Sequence, residues 1–251
     1  MKQIKLKQIN IKIFSGAVLK YIAMLTMLID HIGATGLIFL LFGANMSTRL
    51  YFISRMIGRI AFPIYVFLLV EGFVHTKNIK KYIIRLALFA IISEVPYDLA
   101  FYNTVFEIYH QNVMWELLIC IIMLCCIRKY PDFSIIFVGV SCFIAWLLKF
   151  DYEFIGPLAV ACIYLFRDRI LYRNVATAVI FAFEPTAFFS LIPINMYSGK
   201  KGKDLKYLFY LFYPVHLLVL FFLINMLKWT TRSSVSVGKN TSKLMAKFRK
   251  S

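Results

Sequence analysis

The sequence predicts an all-α, polytopic bundle of membrane-spanning helices, about eight spans (range 8–10), with both termini cytoplasmic. Three observations predict it. Hydrophobic residues make up 61% of the 251-residue chain and charged ones 16%, against roughly 45–50% and about 25% in soluble domains. The apolar residues gather in runs long enough to cross a bilayer. The loops between the runs carry Lys and Arg on alternate sides, the bias that sets orientation in membranes. The same composition excludes a soluble enzyme, a disordered chain and a disulfide-stapled secreted domain.

Taken in order, residues 1–12 form a basic arm with Lys2, Lys5, Lys7 and Lys12. The apolar stretch 17–42 is too long for a signal-peptide core and lacks a small-x-small cleavage site, so it is expected to remain as anchor and span. Further runs lie at about 56–74, 82–102, 112–127, 133–149, 154–166, 174–192 and 207–227. The sixth is short, and Glu184-Pro185 interrupts the seventh. With the N-terminus inside, the cytoplasmic loops hold Lys77, Lys80, Lys81, Arg128, Lys129, Arg167, Arg169 and Arg173, and the outer loops 103–111 and 150–153 hold no Lys or Arg.

Residues 1–227 then form the membrane domain. Residues 228–251, with Lys228, Arg232, Lys239, Lys243, Lys247, Arg249 and Lys250 among serines, read as a disordered cytoplasmic tail near anionic lipid. One loop disobeys: Ser198 to Lys206, with Lys200, Lys201, Lys203 and Lys206, falls on the nominal outer side. Either the broken seventh segment re-enters and brings it inward, or it meets an anionic ligand outside. The net charge of +17 follows from basic loops and needs no nucleic acid, for which no motif is present. The five cysteines, all in apolar runs and without a CxxC pair, read as reduced small hydrophobes, and no metal site is expected.

Ionisable residues at membrane depth carry the functional signal. Of 12 acidic residues, six lie within runs: Asp30, Glu71, Glu94, Asp98, Glu116 and Glu184. Arg59, Arg85, His31 and His216 join them. Each costs about 2.5–3.5 kcal/mol at a helix centre, so together they must line a shared polar interior. Any one can be a structural ion pair that sets helix register. The excess of acids over bases in the set points further, to substrate, water or protons.

Asp30-His31 is not a dyad, because adjacent helical residues point about 100° apart. His31 is a structural histidine or a base, and Gly33 and Gly36 just beyond it permit close approach of a backbone or ligand. Arg55 and Arg59 share a helix face. They either bracket an anion such as phosphate, or Arg55 snorkels to the interface and Arg59 takes an intramembrane acid partner. Pro63 removes the hydrogen bond to the Arg59 carbonyl and predicts a kink there. Tyr213-Pro214-Val215-His216 repeats the device, and Ser93 to Asp98 is a third proline-broken polar cluster, in which Glu94 and Asp98 share a face. Gln111-Asn112 either caps the next span or binds substrate, and Tyr97 joins them as a candidate lining residue.

Several of these segments resemble the TraX family: Leu19 to Gly33 with its Asp30-His31, Arg59 to Gly72, Ser93 to Asp98, Gln111-Asn112-Val113 and Tyr210 to Leu218, in order over nearly the whole membrane domain. That family takes its name from a conjugative-plasmid protein associated with N-acetylation of F pilin. A fainter similarity is to integral-membrane acyltransferases that acetylate bacterial surface sugars. In those, an Arg precedes a catalytic His by about ten residues, where this chain has Lys20 and His31, and a Phe-x-x-Ser-Gly-Phe stands where it has Leu68 to Phe73.

The resemblance implies a multi-pass protein of the cell membrane that transfers an acetyl group from acetyl-CoA to the amine of a pilin-like protein or a hydroxyl of an envelope glycan. A near-neutral His suits removal of the acceptor proton. His31 is the expected base, with His216 as second base or positioning group, and Glu71, Glu94 or Asp98 orienting an imidazole from another helix. Lys20, Arg55, Arg59, Lys200, Lys201 and Lys203 are candidates for the CoA phosphates, and Asp30, Tyr97, Gln111 and Asn112 for the substrate pocket. A proton-coupled transporter and a non-catalytic pilus or envelope assembly factor are the alternatives; the transporter predicts inverted repeats, which the sequence does not display.

Overall fold

The computed structural model describes residues 12–42, 44–203 and 206–248; the basic arm through residue 11, Asp204 and the last three residues, Arg249 and Lys250 among them, lie outside the described residues. The described part is helical: α1 (Gly16–Ala34), α2 (Leu37–Leu41), α3 (Ala44–Gly58), α4 (Ala61–His75), α5 (Ile79–Tyr102), α6 (Val113–Lys129), α7 (Ser134–Leu147), α8 (Ile155–Leu165), α9 (Ile170–Ile180), α10 (Leu191–Asn195) and α11 (Lys206–Phe248). Three stretches are long and apolar enough to cross a membrane, Gly16–Ala34, Asn45–His75 and Leu208–Thr230, and the other apolar helices are shorter. Many large apolar side chains are exposed, among them Leu25, Ile91, Phe143, Ile135 and Phe222, more than a water-facing surface carries and suited to lipid.

Local chemistry sets the helix starts. Ser15 accepts from Val18 N at 3.4 Å, Asn78 from Lys81 N at 3.0 Å and Asn112 from Met114 N at 2.9 Å, each satisfying an orphan donor of a first turn. The expected break near Pro63 falls just before it, at Arg59-Ile60 between α3 and α4. Pro63 thus occupies the first turn of α4, where its missing N–H is not needed. The core is built from Leu19, Ile64, Val70, Phe73, Ile121, Leu124, Val160 and their neighbours on α1, α4, α6 and α8. At the α1–α3 crossing, a Cβ on Gly33 would collide with the Ser54 side chain and one on Gly58 with the Asp30 carboxylate. Those two glycines let the helices approach closely, as small residues do in membrane bundles.

Two ends of the bundle can be told apart by which loops meet. At the end where α1 begins, Gly16 N and Ala17 N donate to Lys200 O and Lys201 O, Ser198 N donates to Phe14 O, and Arg128 and Tyr164 both pack on Phe73. At the far end Gln111 N donates to Lys149 O. The lysine loop therefore lies beside the start of α1. The seventh apolar segment folds back on itself: α9 runs to a turn at residues 181–184, and a 3-10 turn (Pro185–Ser190) and α10 return toward the start of α1. Pro185 has no N–H to continue the helix, which is why the chain turns there.

This fold-back changes the parity of the bundle. Tyr21 packs against Phe209, His31 meets His216, and Leu37 packs with Leu220 and Ile224. Hence α1 and α11 run in the same direction, and residues 12 and 230 lie at opposite ends. The described helices therefore place the start of α1 and residue 230 apart, because the seventh segment doubles back. The α11 backbone is also helical to Phe248, through most of the stretch expected to be disordered.

Candidate active site

A cavity of about 400 Å³ opens among α1, α3, α4, α5 and α11, closed by the 148–154 loop and the tip of the α9–α10 hairpin. Its walls include Asp30, His31, Arg55, Arg59, Tyr97, Asp151, Tyr152 and Glu184. The arginines are not a vacant anion clamp. Arg55 Nη1 pairs with Asp30 Oδ2 at 2.5 Å, and Arg59 Nη1 with Glu184 Oε1 at 2.9 Å. Three carboxylates thus face two guanidinium groups, so the chamber is polar without being a basic sink. Phe62 lies flat on Tyr152, ring centroids 3.4 Å apart, and forms the floor on that side.

His31 is buried on α1, and the deciding contact comes from the other end of the sequence: His31 Nδ1 lies 2.7 Å from His216 Nε2. The ring planes differ by 8° with centroids 5.0 Å apart. That separation is filled by the 2.7 Å bond plus two ring radii, so the imidazoles sit edge to edge in one plane, the geometry an in-plane lone pair requires. His216 Nδ1 lies 2.7 Å from the Phe212 carbonyl, which can only accept. In neutral rings the tautomers follow: His216 carries its proton on Nδ1, its bare Nε2 accepts from His31 Nδ1–H, and His31 Nε2 keeps a lone pair. His31, not His216, lines the cavity. Phe101 stands edge-on to the His31 ring at 5.3 Å and fixes its plane.

The acids expected to orient an imidazole do not do so. Glu71 lies near the α1-start end, where its carboxylate is 3.8 Å from His75 Nδ1. Glu94 accepts from Trp115 Nε1 at 2.9 Å and from the Asn112 amide, tying α5 to α6. Asp98 accepts from Glu107 N at 2.9 Å and holds the 103–111 loop. For the two acids on α5 the reason is direction around the helix: Glu94 points to α6 and Asp98 to the 103–111 loop. Asn112 is the α6 cap, fully buried, and donates also to Ala90 O at 3.0 Å. Gln111 binds Ile108 O at 3.1 Å. Neither lines the cavity, whereas Tyr97 and Asp30 do.

Asp151, Tyr152, Tyr65 and Tyr213 also line the chamber, and none of them was among the candidate site residues. The signal for the first two was an acid-aromatic pair in a short outer loop lacking basic residues. A second cavity, about 320 Å³, lies toward the α1-start end. Lys20 and Lys201 line it, whereas Lys200 and Lys203 are exposed and line neither chamber.

With the geometry in hand, comparison with known proteins gives a consistent assignment. The family model described as TraX protein matches residues 15–224. The chain belongs to the TraX family. That span takes in both histidines, both ion pairs and the re-entrant hairpin. This TraX-family protein is also 32% identical over 237 residues to the probable fimbrial assembly protein FimC, serogroup H1, of Dichelobacter nodosus, an alignment covering 82% of the chain and 94% of the relative. No solved structure matches.

Proposed function

We propose that this protein is an integral-membrane acyltransferase of the cell membrane that moves an acetyl group from acetyl-CoA to a pilin-like amine or an envelope-glycan hydroxyl. The observation that carries the reading is the bare Nε2 of His31, held at a polar cavity by the bond to His216. His31 Nε2 takes the proton of the acceptor N–H or O–H as the acceptor attacks the thioester carbonyl. The C–S bond then breaks, and the imidazolium returns that proton to the departing thiolate. Arg55 and Arg59, whose guanidinium groups line the cavity while paired with Asp30 and Glu184, supply positive charge toward the developing oxyanion.

The membership supports a pilus-associated role, and the relative's name, a fimbrial assembly protein, favours the second reading, an assembly factor without catalysis. Purified protein supplied with acetyl-CoA and an acceptor extract separates them. Thiol release that requires the acceptor supports transfer. Pilus defects in a deletion strain with no thiol release by the purified protein leave the assembly reading.

Orientation belongs to the same proposal. The α1-start end carries Lys77, Lys80, Lys81, Arg128, Lys129, Arg167, Arg169, Lys200, Lys201 and Lys203, and is cytoplasmic by charge bias. The chain then crosses seven times, with α9–α10 re-entering from inside. In a cysteine-free background, a membrane-impermeant maleimide applied to intact cells should label Thr104→Cys and spare Ser198→Cys. The reverse pattern inverts the assignment.

A further inference from the structure

Glu116, in the first turn of α6, is fully buried yet lines neither cavity. Its Oε2 accepts from Tyr152 N at 3.1 Å, and its Oε1 has no hydrogen-bond partner among the described residues. The charges it faces, Asp151 and Glu153, are both acidic. A carboxyl held this way is a poor stabiliser of a core, since it gives up its hydration for a single bond. The fold nevertheless makes room for it: a Cβ on Gly156, at the start of α8, would collide with the Glu116 carboxyl.

What the carboxyl holds is a tight turn. Glu153 N donates to Phe150 O at 3.0 Å, which leaves Asp151 and Tyr152 at the tip, and both line the cavity beside His31. The tip is bracketed by Lys149 and Glu153, each at a φ of 48°, a left-handed conformation that residues with side chains keep only under constraint. From the tip, Asp151 accepts from the Tyr97 phenol, and the Tyr152 phenol meets the Arg59 guanidinium while its ring covers Phe62. Phe150 is buried and anchors the base of the turn, with its N–H on Ala145 O at 3.0 Å. The bond from Tyr152 N to Glu116 ties the backbone of the tip itself to the bundle. We propose that Glu116 is a positioning residue for the acyl transfer: it holds the 150–153 turn so that the Tyr152 phenol aims the Arg59 guanidinium into the cavity. The kinetic consequence rests on the acyl-transfer reading; the hold on the turn does not.

Two measurements on the full-length protein in nanodiscs test it: amide hydrogen exchange of the 148–154 segment, and steady-state thiol release from acetyl-CoA with acceptor extract. Glu116→Leu removes the acceptor and should speed exchange in that segment about tenfold, the loss of one hydrogen bond, with exchange of α1 and α4 unchanged. Its turnover number should fall by about the same factor, at an unchanged KM for acetyl-CoA. Glu116→Gln keeps an oxygen at the same reach and should match the wild type within about twofold in both measurements. Gly156→Ala, which crowds the carboxyl and leaves it in the chain, should reproduce the Glu116→Leu pattern, and it carries the test if the leucine variant does not fold. Tyr152→Phe should lower turnover alike, and combined with Glu116→Leu should lose no more than either alone, because both act through one phenol. Unchanged exchange in Glu116→Leu and Gly156→Ala overturns the hold on the turn. Faster exchange with full turnover, or additive losses in the double variant, overturns the positioning role. If the wild type releases no thiol in the presence of acceptor, the transfer reading fails, and the exchange result alone decides whether Glu116 holds the turn.

Discussion

Replacing His31 by alanine is expected to lower acceptor-dependent thiol release by about 10²–10⁴-fold, the range a positioned general base supplies, with the protein still folded. The reasoning is local. His31 Nε2 is the one ring nitrogen of the pair not committed to the His31–His216 or His216–Phe212 bond, and His31 is the member of the pair that lines the cavity. His216 is a positioning residue, so its variants should behave differently. Glutamine at 216 can still accept from His31 Nδ1–H, and leucine cannot. His216→Gln should retain most of the turnover number and His216→Leu should lose about tenfold or more, both with an unchanged KM for acetyl-CoA. A His31→Ala protein that turns over at the wild-type rate removes the catalytic assignment. A His216→Leu protein that loses affinity and turnover together shows that the second ring only supports the packing.

The second large effect concerns Arg59 and Glu184. Their ion pair pins the tip of the re-entrant hairpin to the break between α3 and α4. Breaking a buried pair on one side costs about 3–5 kcal/mol because the remaining charge is stranded; with 24–30% of these side chains exposed to the cavity, about 2 kcal/mol is the expected cost here. Arg59→Met should therefore destabilise the detergent-solubilised protein more than Arg59→Met combined with Glu184→Gln, measured by thermal unfolding. Activity should not recover in the double variant, because the hairpin tip is then untethered. Equal stability of single and double variants would mean that cavity water solvates both charges and the pair contributes nothing.

Much of this arrangement was readable from residue types. The helical class and the apolar runs follow from composition and length. The cost of charge in lipid predicted one polar interior for all ten ionisable residues at membrane depth; Asp30, His31, Arg59 and Glu184 line the cavity, whereas Glu71, Glu94, Asp98, Glu116, Arg85 and His216 do not. Which pairs form was not readable. One sequence says that an arginine needs an acid but not which helix brings it, and an acid on α5 looks the same whether it faces a histidine or, like Glu94, a buried cap. The fold-back of α9–α10 was foreshadowed by Glu184-Pro185 and by a lysine loop on the wrong side, yet the default of one crossing per apolar run concealed it. Asp151 and Tyr152 escaped notice because short loops offer no periodicity to interpret.

The link between His31 and His216 has a consequence for biogenesis. The first helix must wait in the bilayer while some 180 further residues leave the ribosome, since the two partners are 185 positions apart. Until α11 inserts and docks, the bond between the two imidazoles does not exist, and on the proposed transfer reading a stalled or truncated nascent chain lacks its positioned base.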